Sequence, residues 1–262
     1  MDDKAQGGLQ HIPSGSGLAL RGPRTGMIAR GRRDAANTAA HPEYQRGVAF
    51  YNEGEFVAAA ESFRMAAETG HAESQYLLSM MYEAGQGVAI DAAQAAAWER
   101  KAAEQGHGFA QANASFRAYA AGEFEEAFGW CRRAAEGRLA WAQYHLGLMY
   151  RKGEGVAQDD AEAAYWFRLA ATQEHAEAQQ RLGDLYYLGE GVVRSYLQAA
   201  VWYRRAAEHG NAEAQFQLGH LYNMGLGVEH DYTEYREWTR KAAMQAHEEA
   251  GREVKRREYR DA

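Results

Sequence analysis

The chain has 262 residues, 36 acidic and 29 basic side chains, a formal charge of −7 and only 3 prolines. A net acidic chain lacks the cationic face that nucleic-acid binding needs, no run of about 18 or more apolar residues is present to span a membrane, and the single cysteine, Cys131, excludes an intrachain disulfide. Few prolines and abundant alanine favour helix, so stability must come from helix packing alone.

Residues 1–40 are rich in Gly, Ser and Arg and show no apolar period, which predicts a disordered basic leader. Six basic side chains against three acids give it +3, so residues 41–262 carry −10, a surface suited to basic partners. The functional alternative is a basic arm that touches an acidic partner or an anionic membrane surface. The apolar core of a secretory signal, roughly 7–15 residues, is absent, and a cytoplasmic protein is the expectation. Export stays open because Met27 is an alternative start.

From residue 41 to about 248 the chain repeats itself. A short unit, residues 44–71, turns at Gly54-Glu55-Phe56. The unit from Ala72 is longer and carries Gln75, Leu78, Tyr82, a G-x-G-V turn at Gly85, Gly87 and Val88, then Asp91, Trp98 and the pair Ala102-Ala103. A second short unit, residues 112–138, turns at Gly122-Glu123-Phe124 and holds Cys131 where the first holds Phe63. Three further long units start at Ala140, Ala176 and Ala212, 36 residues apart, each with the same Gln, Leu, Tyr, G-x-G-V, Trp and Ala-Ala positions. Leu and Tyr four apart share one face of a first helix, and Trp shares a face of the next helix with the alanine pair. The small alanines admit close helix approach, the large rings fill the remaining gap, and the glycines supply positive φ where the chain reverses. Each unit therefore reads as a helix–turn–helix whose apolar side is covered only by its neighbour, which requires Trp98, Trp166, Trp202 and Trp238 to lie between consecutive units. Residues 249–262 are strongly charged and predict a polar capping helix or tail, with the run Lys255–Arg257 as an alternative contact for a partner.

This ten-position pattern resembles the Sel-one-like repeat, a longer relative of the tetratricopeptide repeat, over Ala72–His107 and Ala140–His247, while the two short units look like tetratricopeptide repeats proper. Ser79 and Ser195 depart from it, standing where sister units have glycine and aspartate. The resemblance implies an all-α, right-handed α/α superhelix of six units whose concave surface, lined by first helices, binds a protein or peptide as an adaptor, in many cases in bacteria. Secreted relatives with paired cysteines in every repeat, associated with β-lactam binding, do not fit a chain with one cysteine.

First-helix positions outside the core pattern differ between units, as a specificity surface should. They are Trp141, Tyr144, His145, Arg151 and Lys152 in one unit, Arg181, Asp184 and Tyr187 in the next, and Phe216, His220 and Asn223 in the last. Trp141 replaces Glu73, Glu177 and Glu213 of the sister units. It reads either as an exposed interface anchor or as a ring packed on the short unit before it. His71, His107, His175 and His247 share one position before a first helix, with Asn211 in the remaining unit, and there a polar residue caps the helix rather than ligating a metal. The turns lack the G-K-[ST] ending of a phosphate loop, Glu123, Glu125 and Glu126 read as a solvated face, and Cys131 reads as a small buried hydrophobe. No catalytic residue, cofactor or metal is expected. The alternatives to a binding scaffold are a ligand-binding or hydrolytic relative acting on cell-wall or β-lactam substrates, and a self-associating array.

Overall fold

The structure is a computed structural model that describes residues 41–245 and 247–261, with side chains as far as Lys255. The basic leader lies outside the described residues, as do the side chains of Arg256 and Arg257. The chain divides into two compact units, Met1–Ala110 and Gln111–Ala262. All described secondary structure is helical: among the described residues there are 13 helices and no strand.

In the first unit the helices are α1 (Pro42–Glu53), α2 (Phe56–Glu68), α3 (Ala72–Ala84) and α4 (Ala92–Glu104). Helix α5 (Gly108–Ala120) runs from the first unit into the second. The second unit continues with α6 (Phe124–Glu136), α7 (Ala140–Lys152), α8 (Asp160–Ala171), α9 (Ala176–Leu188), α10 (Tyr196–Glu208), α11 (Ala212–Met224), α12 (Tyr232–Met244) and α13 (Glu248–Asp261). From α1 to α4 and from α6 to α13, successive helices pack on one another, giving the helix–turn–helix solenoid repeat.

Local chemistry sets each boundary. First helices α3, α9 and α11 start where His71, His175 and Asn211 accept a backbone N–H of the first turn. They end at left-handed glycines, Gly85, Gly189 and Gly225. Second helices α4, α8 and α12 start at Asp91, Asp159 and Asp231, whose carboxylates each accept two backbone N–H groups. Ser195 accepts one, from Gln198, so its departure from the repeat pattern preserves the cap.

Apolar packing then fills the space between modules. Ala163, Ala164, Phe167, Ala170 and Ala171 of α8, Ala178, Leu182 and Leu185 of α9, and Trp202 of α10 form one cluster. The next cluster repeats it one module on, with Trp238 of α12 against α10 and α11. Trp166 joins the cluster of α5, α6 and α7, and Trp98 joins that of α1, α2 and α3. All four indoles thus lie between consecutive modules, as the periodicity requires. The second glycine of each long turn makes the closest approach. A Cβ on Gly191 (φ +65) would land on the Asp160 carbonyl at the start of α8, and Gly155 and Gly227 meet Phe124 and Tyr196 in the same way.

The repeating glutamine ties three helices together. Gln179 Nε2 donates to the Ala171 carbonyl at 3.1 Å, and its Oε1 accepts from His209 Nδ1 at 3.1 Å. Gln143 bridges Ala135 and Gln173, Gln215 bridges Ala207 and Gln245, and in the first unit Gln75 bridges Ala67 and Gln105. These amides are buried, so each bond lost leaves a dry polar group behind at about 1–3 kcal/mol.

Four substitutions test this account by denaturant unfolding. Gly191→Ala should lower stability by about 3 kcal/mol or more, because backbone must move to admit the methyl group; Gly210→Ala, at the same sign of φ but in open space, should cost only about 1 kcal/mol. Gln179→Leu should cost about 2 kcal/mol. Glu174, a non-glycine residue at φ +66 where the preceding and following long modules' counterparts include Gly210, should be improved by Glu174→Gly by about 0.5–1 kcal/mol. Equal losses for Gly191→Ala and Gly210→Ala would contradict the close approach.

Candidate functional site

The residues singled out by their variation lie on α7, α9 and α11 of the second unit, and the structure sorts them by what they touch. The histidines at the repeat boundary are structural. His175 Nδ1 accepts the Ala178 N–H, and the ring stacks on Tyr144 at 4.8 Å. His247 Nδ1 accepts the Ala250 N–H, Nε2 donates to Glu213 at 2.9 Å, and the ring lies 4.6 Å from Phe216. His71 with Tyr44 and His107 with Tyr76 repeat the pairing in the first unit. Where Gln180 replaces the aromatic residue, Asn211 replaces the histidine.

This pairing moves two expected surface residues inward. Phe216 is 5% exposed and packs with Ala242 and Ala250, so it does not face a groove. Tyr144 is half-buried against the α8–α9 cluster and belongs to the stack with His175. Trp141 is also half-buried. It packs on the cluster of α5, α6 and α7 and lies 4.0 Å from His145, so the packed reading describes it and the free-standing anchor does not. His220 is engaged as well, with Nε2 3.3 Å from Glu253 of α13.

Of the remaining positions Lys152 and Arg181 are exposed, and Arg151, Asp184, Tyr187 and Asn223 are half-buried. Arg151 Nη2 donates to Glu190 at 2.6 Å, Lys152 lies 3.6 Å from Glu154, and the exposed Arg181 lies 3.6 Å from Asp184. Asp184 accepts from Tyr203 Oη at 2.8 Å and from Gln180 Nε2 at 2.6 Å. Burial raises its pKa above the ordinary carboxylate range, and the Tyr203 bond and the Arg181 charge offset only part of that. Asn223 is half-buried near the C-terminus of α11. Arg151, Asp184 and Tyr187 line one depression of about 230 Å³ together with Leu188, Tyr203 and Gln217. Leu188 and Gln217 share repeat columns with Lys152 and His145, a signal that extended comparison of columns would have found. Tyr203 occupies a core column on a second helix, filled by Phe167 one module earlier, and sequence offers no local sign that its hydroxyl reaches the face. Cys131 is buried, with its thiol donating to the Ala142 carbonyl and its pKa pushed up by burial to about 12, which fits a small core residue.

His145 supplies a pH test. Burial, helped by the His175 and Lys152 charges, lowers its pKa to about 4, against 6.5 in an unfolded chain. The unfolded chain binds more protons between those values, so stability rises with pH across this window. His145→Leu, which installs the residue found at Leu77 in the first unit, should flatten that slope: between pH 7 and 4.5 the wild type should lose about 2 kcal/mol that the variant retains. Identical slopes in denaturant titrations at the two pH values would exclude this role. Asp184→Asn should act in the opposite sense. Its raised pKa gives the wild type stability at low pH that is lost as pH rises through the folded value, so the variant's advantage should grow toward neutral pH.

Comparison with known proteins follows the same repeat boundaries. The Sel1 repeat profile matches residues 72–107, 110–138, 142–175, 176–211 and 212–247, which includes the second short unit read above as a tetratricopeptide repeat. No curated protein gives a match. Among solved structures, a protective antigen of uropathogenic Escherichia coli displaying an SLR fold is similar at 36% identity and a TM-score of 0.73, over 83% of this chain and 49% of that one. A Sel1 repeat protein from Oxalobacter formigenes is similar at 30% identity and a TM-score of 0.69, over 76% of this chain and 83% of that one. The chain spans about half the length of the E. coli protein. With the profile covering more than half of its residues, in register with the observed helix pairs, the chain belongs to the Sel1 repeat family.

Proposed function

We propose that the exposed face of α7, α9 and α11 is a docking surface for a segment of another protein, and that the chain works as a binding scaffold and not as an enzyme. The observation that carries this reading is the contrast between columns. The leucine, alanine and glutamine columns of the core repeat the same residue, as at Leu146, Leu182 and Leu218. Face columns change chemistry from module to module: His145, Arg181, Gln217; Leu148, Asp184, His220; Arg151, Tyr187, Asn223; Lys152, Leu188, Met224. The same face holds Leu188 at 52% and Met224 at 58% exposure beside half-buried Tyr187, which gives a docked segment apolar surface to cover. Sel1 repeat proteins are in general protein-interaction scaffolds, which is consistent with this use.

The charges favour binding over turnover. Arg151 with Glu190, Lys152 with Glu154, Arg181 with Asp184 and His220 with Glu253 form separate pairs, and none is arranged as an acid and a base about a common reacting atom. Relatives as similar as those above lend no support to hydrolysis of cell-wall or β-lactam substrates.

The test is affinity capture with mass spectrometry, using the full chain and three variants. Arg181→Glu and Tyr187→Ala should each deplete the same captured protein at least about ten-fold, as interface residues of that kind do, with melting temperatures unchanged. Glu208→Ala, on an exposed second-helix position, should leave capture intact. An identical capture profile for Arg181→Glu, Tyr187→Ala and wild type would remove this face from consideration.

A further inference from the structure

The depression between α7, α9, α10 and α11 has a size and a lining that specify a ligand more narrowly than "a protein". Its volume of about 230 Å³ falls below the roughly 300–1,000 Å³ of small-molecule sites and matches a single inserted side chain. Its one carboxylate belongs to Asp184. An ionised carboxylate offers about four acceptor positions, and Tyr203 and Gln180 occupy two. Arg181 lies 3.6 Å away, beyond a hydrogen bond, and is itself solvent-exposed, so it can swing aside at little cost. The one cation in the lining, Arg151, is held by Glu190 at 2.6 Å. Gln217 donates one amide N–H to Glu213, and its amide oxygen adds an acceptor to the site. Tyr187 adds an aromatic ring, and Leu188 adds exposed aliphatic surface.

Carboxylate, amide oxygen, aromatic ring and aliphatic wall are together the complement of a long basic side chain. The acceptors meet its N–H donors, the ring attracts its charge, and the wall covers its methylene stem. We infer that this depression receives a lysine or arginine side chain of the docked partner, with Asp184 as its ion partner. This rests on the docking surface proposed above and names what that surface reads. The charge of −10 over residues 41–262 acts in the same direction, steering a basic partner to the surface before contact.

The experiment selects binders to the full chain from a random peptide library displayed on phage, then measures the synthetic peptides by fluorescence anisotropy. The selected peptides should share one lysine or arginine. Replacing it by norleucine should weaken binding about ten- to hundred-fold, the range of a charge-assisted contact. Asp184→Asn, which keeps an acceptor for the Tyr203 hydroxyl, should weaken the basic peptide to a similar degree and leave the norleucine peptide unaffected, so that the double-mutant cycle is strongly non-additive. The norleucine arm needs no protein variant and stands even if Asp184→Asn unfolds. Selected peptides without a common basic residue, or an additive cycle, overturn the inference. If such peptides still lose affinity with Arg181→Glu or Tyr187→Ala, the docking surface stands and only its specificity is wrong; if no peptide is selected, or binding ignores every face substitution, both fall.

Discussion

A buried side-chain amide at the start of each long first helix sets the spacing of the modules. Gln143, Gln179 and Gln215 each reach back to a carbonyl of the alanine pair near the end of the preceding second helix, and each is met from ahead by a residue one or two positions past the end of its own second helix. A buried amide with one bond missing is costly, so the three helices must keep a register in which both are made. Apolar contacts between alanines and rings would tolerate sliding. The amide does not, and it makes the hydrophobic clusters reproduce from module to module.

That constraint explains which parts of the sequence were legible. Turn glycines, Leu–Tyr pairs, indoles and aspartate caps are demanded by geometry at each repeat, so they recur at fixed spacing and can be read without any structure. The glutamine was visible as a recurrence, but its role was not. One partner is a backbone carbonyl, which every residue type supplies, and the other changes identity, from Gln173 to His209 to Gln245. The packing role of Tyr144 and Phe216 is hidden in the sequence for a related reason. Their rings stack on histidines 31 residues later, and helical periodicity within one helix carries no information about that contact.

Stacking also explains the histidines without a ligand. One nitrogen caps a helix, the other meets the glutamate that opens the preceding first helix, and the ring covers an aromatic side chain. This arrangement is complete at His247, with Ala250, Glu213 and Phe216. Trp141 breaks it by standing in the glutamate column, and His175 keeps its cap and its Tyr144 stack, with Glu177 of its own first turn 3.3 Å from Nδ1 in place of a glutamate from the preceding module. The indole instead covers the preceding cluster and His145. A residue that looked like an exposed anchor is thus the local repair of a junction between a short module and a long one.

The same logic limits how independently the exposed face can vary. In the module of α7 the face column holds Leu148 and the core column behind it holds Phe167, so both positions are apolar. One module on, the face holds Asp184 and the core holds Tyr203, and the phenol donates to the carboxylate at 2.8 Å. A half-buried carboxylate in that position without a donor would pay its desolvation uncompensated. The polar face residue is therefore supported by a hydroxyl introduced on a different helix, 19 residues later, together with the Gln180 amide of its own helix. In this module the outward carboxylate and its support from the core come as a pair. Moving a face residue alone to another module transfers the group without the bond that makes it tolerable.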